Sequence, residues 1–86
     1  MQEIKIKLQQ AIAEVIKENR TKSITKSSDE IGLGKSIWSD IENAKKDPQI
    51  STIWRISEGL NMKPHELVLK IEEKLGDNFS FLEDSL

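Results

Sequence analysis

Side chains able to make or break bonds are scarce in this sequence. The single histidine is His65, cysteine is absent, and no glycine-rich phosphate loop is present, so no catalytic constellation can be assembled and no enzyme is expected. His65 follows Pro64 at the start of a predicted helix, which places it at the surface. Without cysteine, thiolate metal sites and disulfide frameworks are excluded, a pattern that suits the cytoplasm. No metal, cofactor or small-molecule substrate is expected. What remains is a group of donors and cations, Lys35, Ser36, Lys45 and Lys46, around one short amphipathic stretch. Such groups recognise by hydrogen bond and charge rather than by reaction.

The elements that must position them read as helices. Ile4, Leu8, Ala11, Ile12 and Val15 recur at spacings of three and four, which predicts an amphipathic first helix ending near Asn19. Ile24, Ser28 and Ile31 share one face of a short second helix, opened by Ser23 or Thr25 and closed by Gly32. After the turn Gly32-Leu33-Gly34, a third helix runs from about Lys35 to Asn43. It turns Leu33, Trp38 and Ile41 inward and leaves Lys35, Ser36, Ile37, Ser39 and Asp40 largely outside. Pro48 and the apolar-poor run from Ala44 to Gln49 make a loop. Ile50, Ile53, Ile56 and Leu60 mark a fourth helix, with Ser51 or Thr52 near its start and Trp54 partly buried beside them. Pro64 opens a fifth, whose inward stripe is Leu67, Val68, Ile71 and Leu75 and whose end is Gly76.

Eighty-six residues support one core, so residues 1–76 are expected to form one domain followed by an acidic and aromatic tail over 77–86. Hydrophobic residues at 36% and charged residues at 33% lie in the globular range. The net charge of −2 is unevenly spread: residues 1–70 hold 12 Lys/Arg against 10 Asp/Glu, whereas 71–86 hold Lys74 against five acids. A slightly basic body therefore carries an acidic tail. The N-terminal MQEIKIKLQQ alternates charge with Ile and resembles neither a signal peptide nor a membrane span, which predicts a mature chain beginning near Met1 and no membrane partner.

Two short helices joined by a glycine-bearing turn, the second led by small polar residues, are what reading a DNA major groove requires. Lys35 at the head of the third helix has the chemistry to donate to guanine O6/N7 or to a phosphate, and Ser36 to bond a base, a phosphate or its own helical turn. Ile37 suits a thymine methyl, Asp40 a cytosine N4 or a neighbouring lysine, and Lys45 and Lys46 suit phosphates.

The stretch IGLGKSIWSDIENAKKDP, Ile31 to Pro48, resembles the helix-turn-helix of the phage-repressor and Cro (Xre) family. The likeness is carried by Gly32 and Leu33, by the pattern Trp38-Ser39-Asp40-Ile41-Glu42, and by a basic loop closing on Pro48. It extends through Thr52, Ile56, Leu60 and Asn61 and covers about residues 8–70. It implies an all-α, five-helix lambda-repressor-like domain that binds double-stranded DNA as a homodimer and regulates transcription, as a repressor. By position it implies base contacts from Lys35, Ser36, Ile37, Ser39 and Asp40, and phosphate contacts from Asn43, Lys45 and Lys46. The chain departs from the pattern at Ile24, where the family often has Gln, and at Ala44, where it often has Gly. Gly34 stands where a capping Ser or Thr is common, and Ser27 and Ser28 replace a large apolar residue and Ala, which predicts a loosely packed second helix.

Leu69 falls off the inward stripe of the fifth helix and, with Phe79, Phe81 and Leu82, forms the expected dimer interface, the alternative being a tail folded back on its own domain. A different class of function is also compatible with the sequence. It is a protein-interaction module, antitoxin-like or adaptor, in which the helical scaffold presents the acidic tail to a partner.

Overall fold

A computed structural model describes residues 2–82 and shows an all-helical architecture. Its elements are α1 (Gln2–Asn19), α2 (Ile24–Glu30), α3 (Lys35–Glu42), α4 (Ile50–Gly59) and α5 (Pro64–Leu75). No strand occurs among the described residues, and none of their helices is long and apolar enough to cross a membrane.

The core is built on α1, which packs against both α3 and α5. Ala11, Ile12, Val15 and Ile16 supply its buried stripe, and they meet Trp38 and Ile41 of α3, Ile53 and Ile56 of α4, and Leu67 and Ile71 of α5. Each Val, Ile or Leu side chain buried here contributes about 1.5–3 kcal/mol through removal of apolar surface from water. Gly59, near the end of α4, permits a close approach. A Cβ there would sit 3.0 Å from Ile31 Cγ2, so its absence lets the end of α4 lie close to the end of α2, with the Trp38 ring in ordinary contact beside it.

Three consecutive helices stop by the same device. In a Schellman ending, the second residue beyond the cap donates back across the last turn, and the residue between adopts left-handed backbone. After α2 that residue is Gly32 (φ +67°), with Leu33 N–H donating to Ser28 O at 2.9 Å. After α3 it is Ala44 (φ +58°), with Lys45 N–H donating to Asp40 O at 2.8 Å. After α4 it is Asn61 (φ +61°), with Met62 N–H donating to Ser57 O at 2.8 Å. Helix starts are equally local. Ser23 Oγ accepts from Lys26 N–H at 3.1 Å, and at α5 the Glu66 carboxylate accepts from Lys63 N–H at 2.8 Å, with Pro64 in the first turn.

Several inward assignments are corrected. Ile50, Trp54 and Val68 are not core residues: they are 67%, 54% and 42% exposed. The fourth helix instead turns Ile53, Ile56 and Ser57 inward, and the fifth Leu67 and Ile71. Ser27 and Ser28 are fully buried in α2, and the Ser28 hydroxyl donates to Thr25 O at 3.1 Å. Small side chains there bring α2 close to its neighbours instead of leaving it loose. At the far end of α5, Lys74 lies between Glu18 (2.7 Å) and Glu14 (3.6 Å) of α1. The hydrogen bond to Glu18 in particular raises the lysine's pKa above its ordinary value.

Candidate nucleic-acid interface

The site is α2, its turn and α3, and its position is fixed from the inner side of α3. Trp38 has no exposed surface, and Ile41 and Glu42 are buried next to it. The Trp38 indole Nε1 donates to Glu42 Oε2 at 2.6 Å, one helical turn along. Arg20, just past α1, donates from Nε to the same oxygen at 2.6 Å and from Nη2 to Oε1 at 3.3 Å. Its Nη1 also donates to Lys22 O at 2.6 Å, so a single guanidinium ties the α1–α2 linker to α3. A carboxylate this deep is tolerated because both of its oxygens are hydrogen-bonded and its charge is matched.

The outer side of α3 is arranged in the opposite way. Lys35, Ser36 and Ile37 are exposed along the first turn, and Ser39 and Asp40 are half-buried behind them. Gly34 caps the helix without a side-chain bond, so no capping side chain crowds that tip. The tip also carries the positive end of the helix dipole, a place suited to an anion.

Asn43 is exposed at the other end, but its amide donates to Ser39 O at 2.9 Å and Ser39 Oγ at 3.3 Å. A phosphate would have to compete with those bonds. Lys45 and Lys46 are exposed in the loop that follows, where neither forms an ion pair among the described residues, whereas Asp47 lies 3.8 Å from Lys5 of α1. Lys22, in the α1–α2 linker, is paired with Glu30 of α2 at 2.9 Å, and the exposed Lys26 of α2 has no ion-pair partner among the described residues. Among the described residues Lys26, Lys35, Lys45 and Lys46 thus stand without an ion-pair partner, as do the acids Asp29 of α2 and Asp40 of α3.

The expected base-reading residues therefore fall together on one helix, with the expected phosphate residues at its end and on the next loop. The expected dimer residues fall elsewhere. Leu69, Phe81 and Leu82 are exposed at 51%, 45% and 78%, and Phe79 is half-buried, its ring edge-on to Phe81 with centroids 5.6 Å apart. Glu83 to Leu86, the last part of the expected tail, lie outside the described residues. His65 is exposed at the start of α5, and no cluster of metal-ligating side chains occurs among the described residues.

Two features escaped the sequence reading. The link between Arg20 and Glu42 spans 22 positions and has no local signature. The Ile50–Trp54 pair did leave a signal: α4 carries apolar side chains at 50, 53, 54 and 56, more than one inward stripe requires. Comparison with protein-family models, with curated proteins and with solved structures returned no match.

Proposed function

We propose that the chain is a sequence-specific double-stranded-DNA-binding transcriptional regulator. It acts in the cytoplasm as a homodimer and represses by occupying its site. The observation that carries this reading is the division of labour on α3, whose buried side is locked by Trp38, Ile41 and Glu42 while its leading turn, Lys35 to Ile37, stands bare. A groove about 12 Å wide admits a helix only when its leading side chains are exposed in this way. Lys35, Ser36 and Ile37 then meet base edges with Ser39 and Asp40 beside them, and Lys45 and Lys46, together with Asn43, meet phosphates. The resemblance to the phage-repressor and Cro family supports the same assignment.

Selection of bound sequences from a random duplex pool tests this directly. One motif should be enriched, with half-sites about one helical turn apart. On that site Lys35→Ala should weaken binding by about 1–3 kcal/mol, and replacing Lys45 and Lys46 together should lower the salt dependence by about two counterions. A pool that yields no motif refutes the reading. An interaction module is the second reading, favoured by the exposure of Leu69, Phe81 and Leu82 beside an acidic tail. It predicts that removing residues 77–86 abolishes capture of a protein partner while the helical fold persists.

A further inference from the structure

Ile50 and Trp54 stand one turn apart on α4 and, with Val68 of α5, are exposed. Together with Lys63, Pro64 and His65 they line an open groove of about 430 Å³ with almost wholly apolar walls. No acid lines it, and neither Lys63 nor His65 has an ion-pair partner among the described residues. The groove therefore suits a segment that joins apolar side chains to carboxylates. We propose that its occupant is the chain's own tail, residues 81–86, folded back in cis along α5 so that its apolar side chains cover Trp54 and its carboxylates meet Lys63 and His65.

Composition and path both favour this occupant. Residues 77–86 hold Asp77, Glu83 and Asp84 with no lysine, arginine or histidine, and they carry Phe79, Phe81, Leu82 and Leu86. The described part of the tail turns toward the start of α5. Gly76 takes φ +86°, a conformation open to glycine, and Phe79 N–H donates to Gly76 O at 3.4 Å, so the chain reverses there. Phe79 then shares a recess with Leu69, Glu72 and Glu73, one to two turns back from the end of the helix. Glu72 lies four positions from Val68 and seven from His65, which puts all three on one face of α5. Continuing along that face carries Glu83 and Asp84 away from Glu72 and Glu73 and toward Lys63 and His65, the direction that charge favours.

The length suffices. From Glu72 back to His65 the helix rises about 10 Å, and the stretch from Phe81 to Leu86 reaches up to about 20 Å when extended. Strength follows from the tether. Three exposed apolar side chains are a small surface beside the roughly 1,000 Å² of a stable interface between separate molecules. A segment on a short flexible link needs less, because the link supplies a local concentration of about 1 mM, and a contact of only millimolar strength is then filled about half the time. The groove is thus self-occupied, and a partner of similar acid-and-apolar chemistry must displace the tail to enter.

Acrylamide quenching of the full chain tests the proposal, with Trp54 read as the difference between wild type and Trp54→Phe, since Trp38 is buried. Docking about half the time shields Trp54 for that share, so Glu83→Lys combined with Asp84→Lys should raise its quenching constant about twofold. Lys63→Glu should do the same, and the three substitutions together should restore the protection, which a merely structural loss would not do. Lys63 is exposed and the tail contributes nothing to the core cluster, so circular dichroism should be unchanged. The proposal is overturned if reversing the tail charges leaves the quenching of Trp54 as it was, or if the combined variant stays as open as Lys63→Glu. It is also overturned if the protection of Trp54 grows with protein concentration, because the cover then comes from a second copy. No DNA enters the measurement, so the regulator reading stands or falls separately.

Discussion

Ile37 and Trp38 are neighbours in sequence and opposites in the fold. Trp38 has no exposed surface and its indole is bonded to a buried carboxylate, whereas Ile37 is 37% exposed on the same helix. One face of α3 is thus fixed by packing and charge, and the other is left open. The difference shows how a domain with a small core can hold an exposed surface steadily. The placement of Lys35 and Ser36 is inherited from the buried side chains Trp38, Ile41 and Glu42. It also predicts that substitutions on the two faces will fail in different measurements.

The largest effect belongs to the inner face. Trp38→Ala should cost about 3–5 kcal/mol, comparable to the whole stability of a small domain, and urea titration should show a fraction unfolded without denaturant. Next comes an asymmetry between the partners of the ion pair. Arg20→Met leaves a charged Glu42 that is only 3% exposed, and should cost about 3–5 kcal/mol. Glu42→Gln leaves an arginine that is 24% exposed and free to turn toward water, so its cost should be nearer about 2 kcal/mol. Equal losses would mean that the carboxylate is less isolated from solvent than its position implies.

On the outer face the readout changes. Lys35→Ala and Ile37→Ala should leave the unfolding midpoint within about 0.5 kcal/mol of wild type, since both lie on the exposed surface of α3. Under the proposed function, any loss from Lys35→Ala should appear in DNA binding alone. If it destabilises the fold as much as Trp38→Ala does, the division between the faces is wrong. The smallest expected effect is a gain. Ala44 holds left-handed backbone at φ +58°, an arrangement unfavourable to a side chain, so Ala44→Gly should raise stability by about 0.5–1 kcal/mol with the α3 surface unaltered.

Much of this was legible before any coordinates. Helix order and limits follow from periodicity and from caps that act within a few residues: Ser23 before α2, Gly32 after it, Pro64 opening α5 and Gly76 closing it. Exposure of Lys35, Ser36 and Ile37 was legible too, because Trp38 and Ile41 fix which side of α3 faces in. The burial of Ser27 and Ser28 was not. A hydroxyl can be satisfied by its own helix, as Ser28 is by Thr25 O, and nothing in the sequence says whether a neighbour will come close.

The chain alone therefore settled which segments coil and which side of each is greasy, since those depend on bonds and propensities reaching only a few residues. Only the tertiary arrangement decided what each greasy side would meet. It buried Glu42 beside Trp38 by bringing Arg20 across 22 positions, and it left Ile50, Trp54 and Val68 without cover. The reason is geometric: a stripe records that a helix has something to bury, but the number of helices close enough to bury it is a property of the assembled molecule.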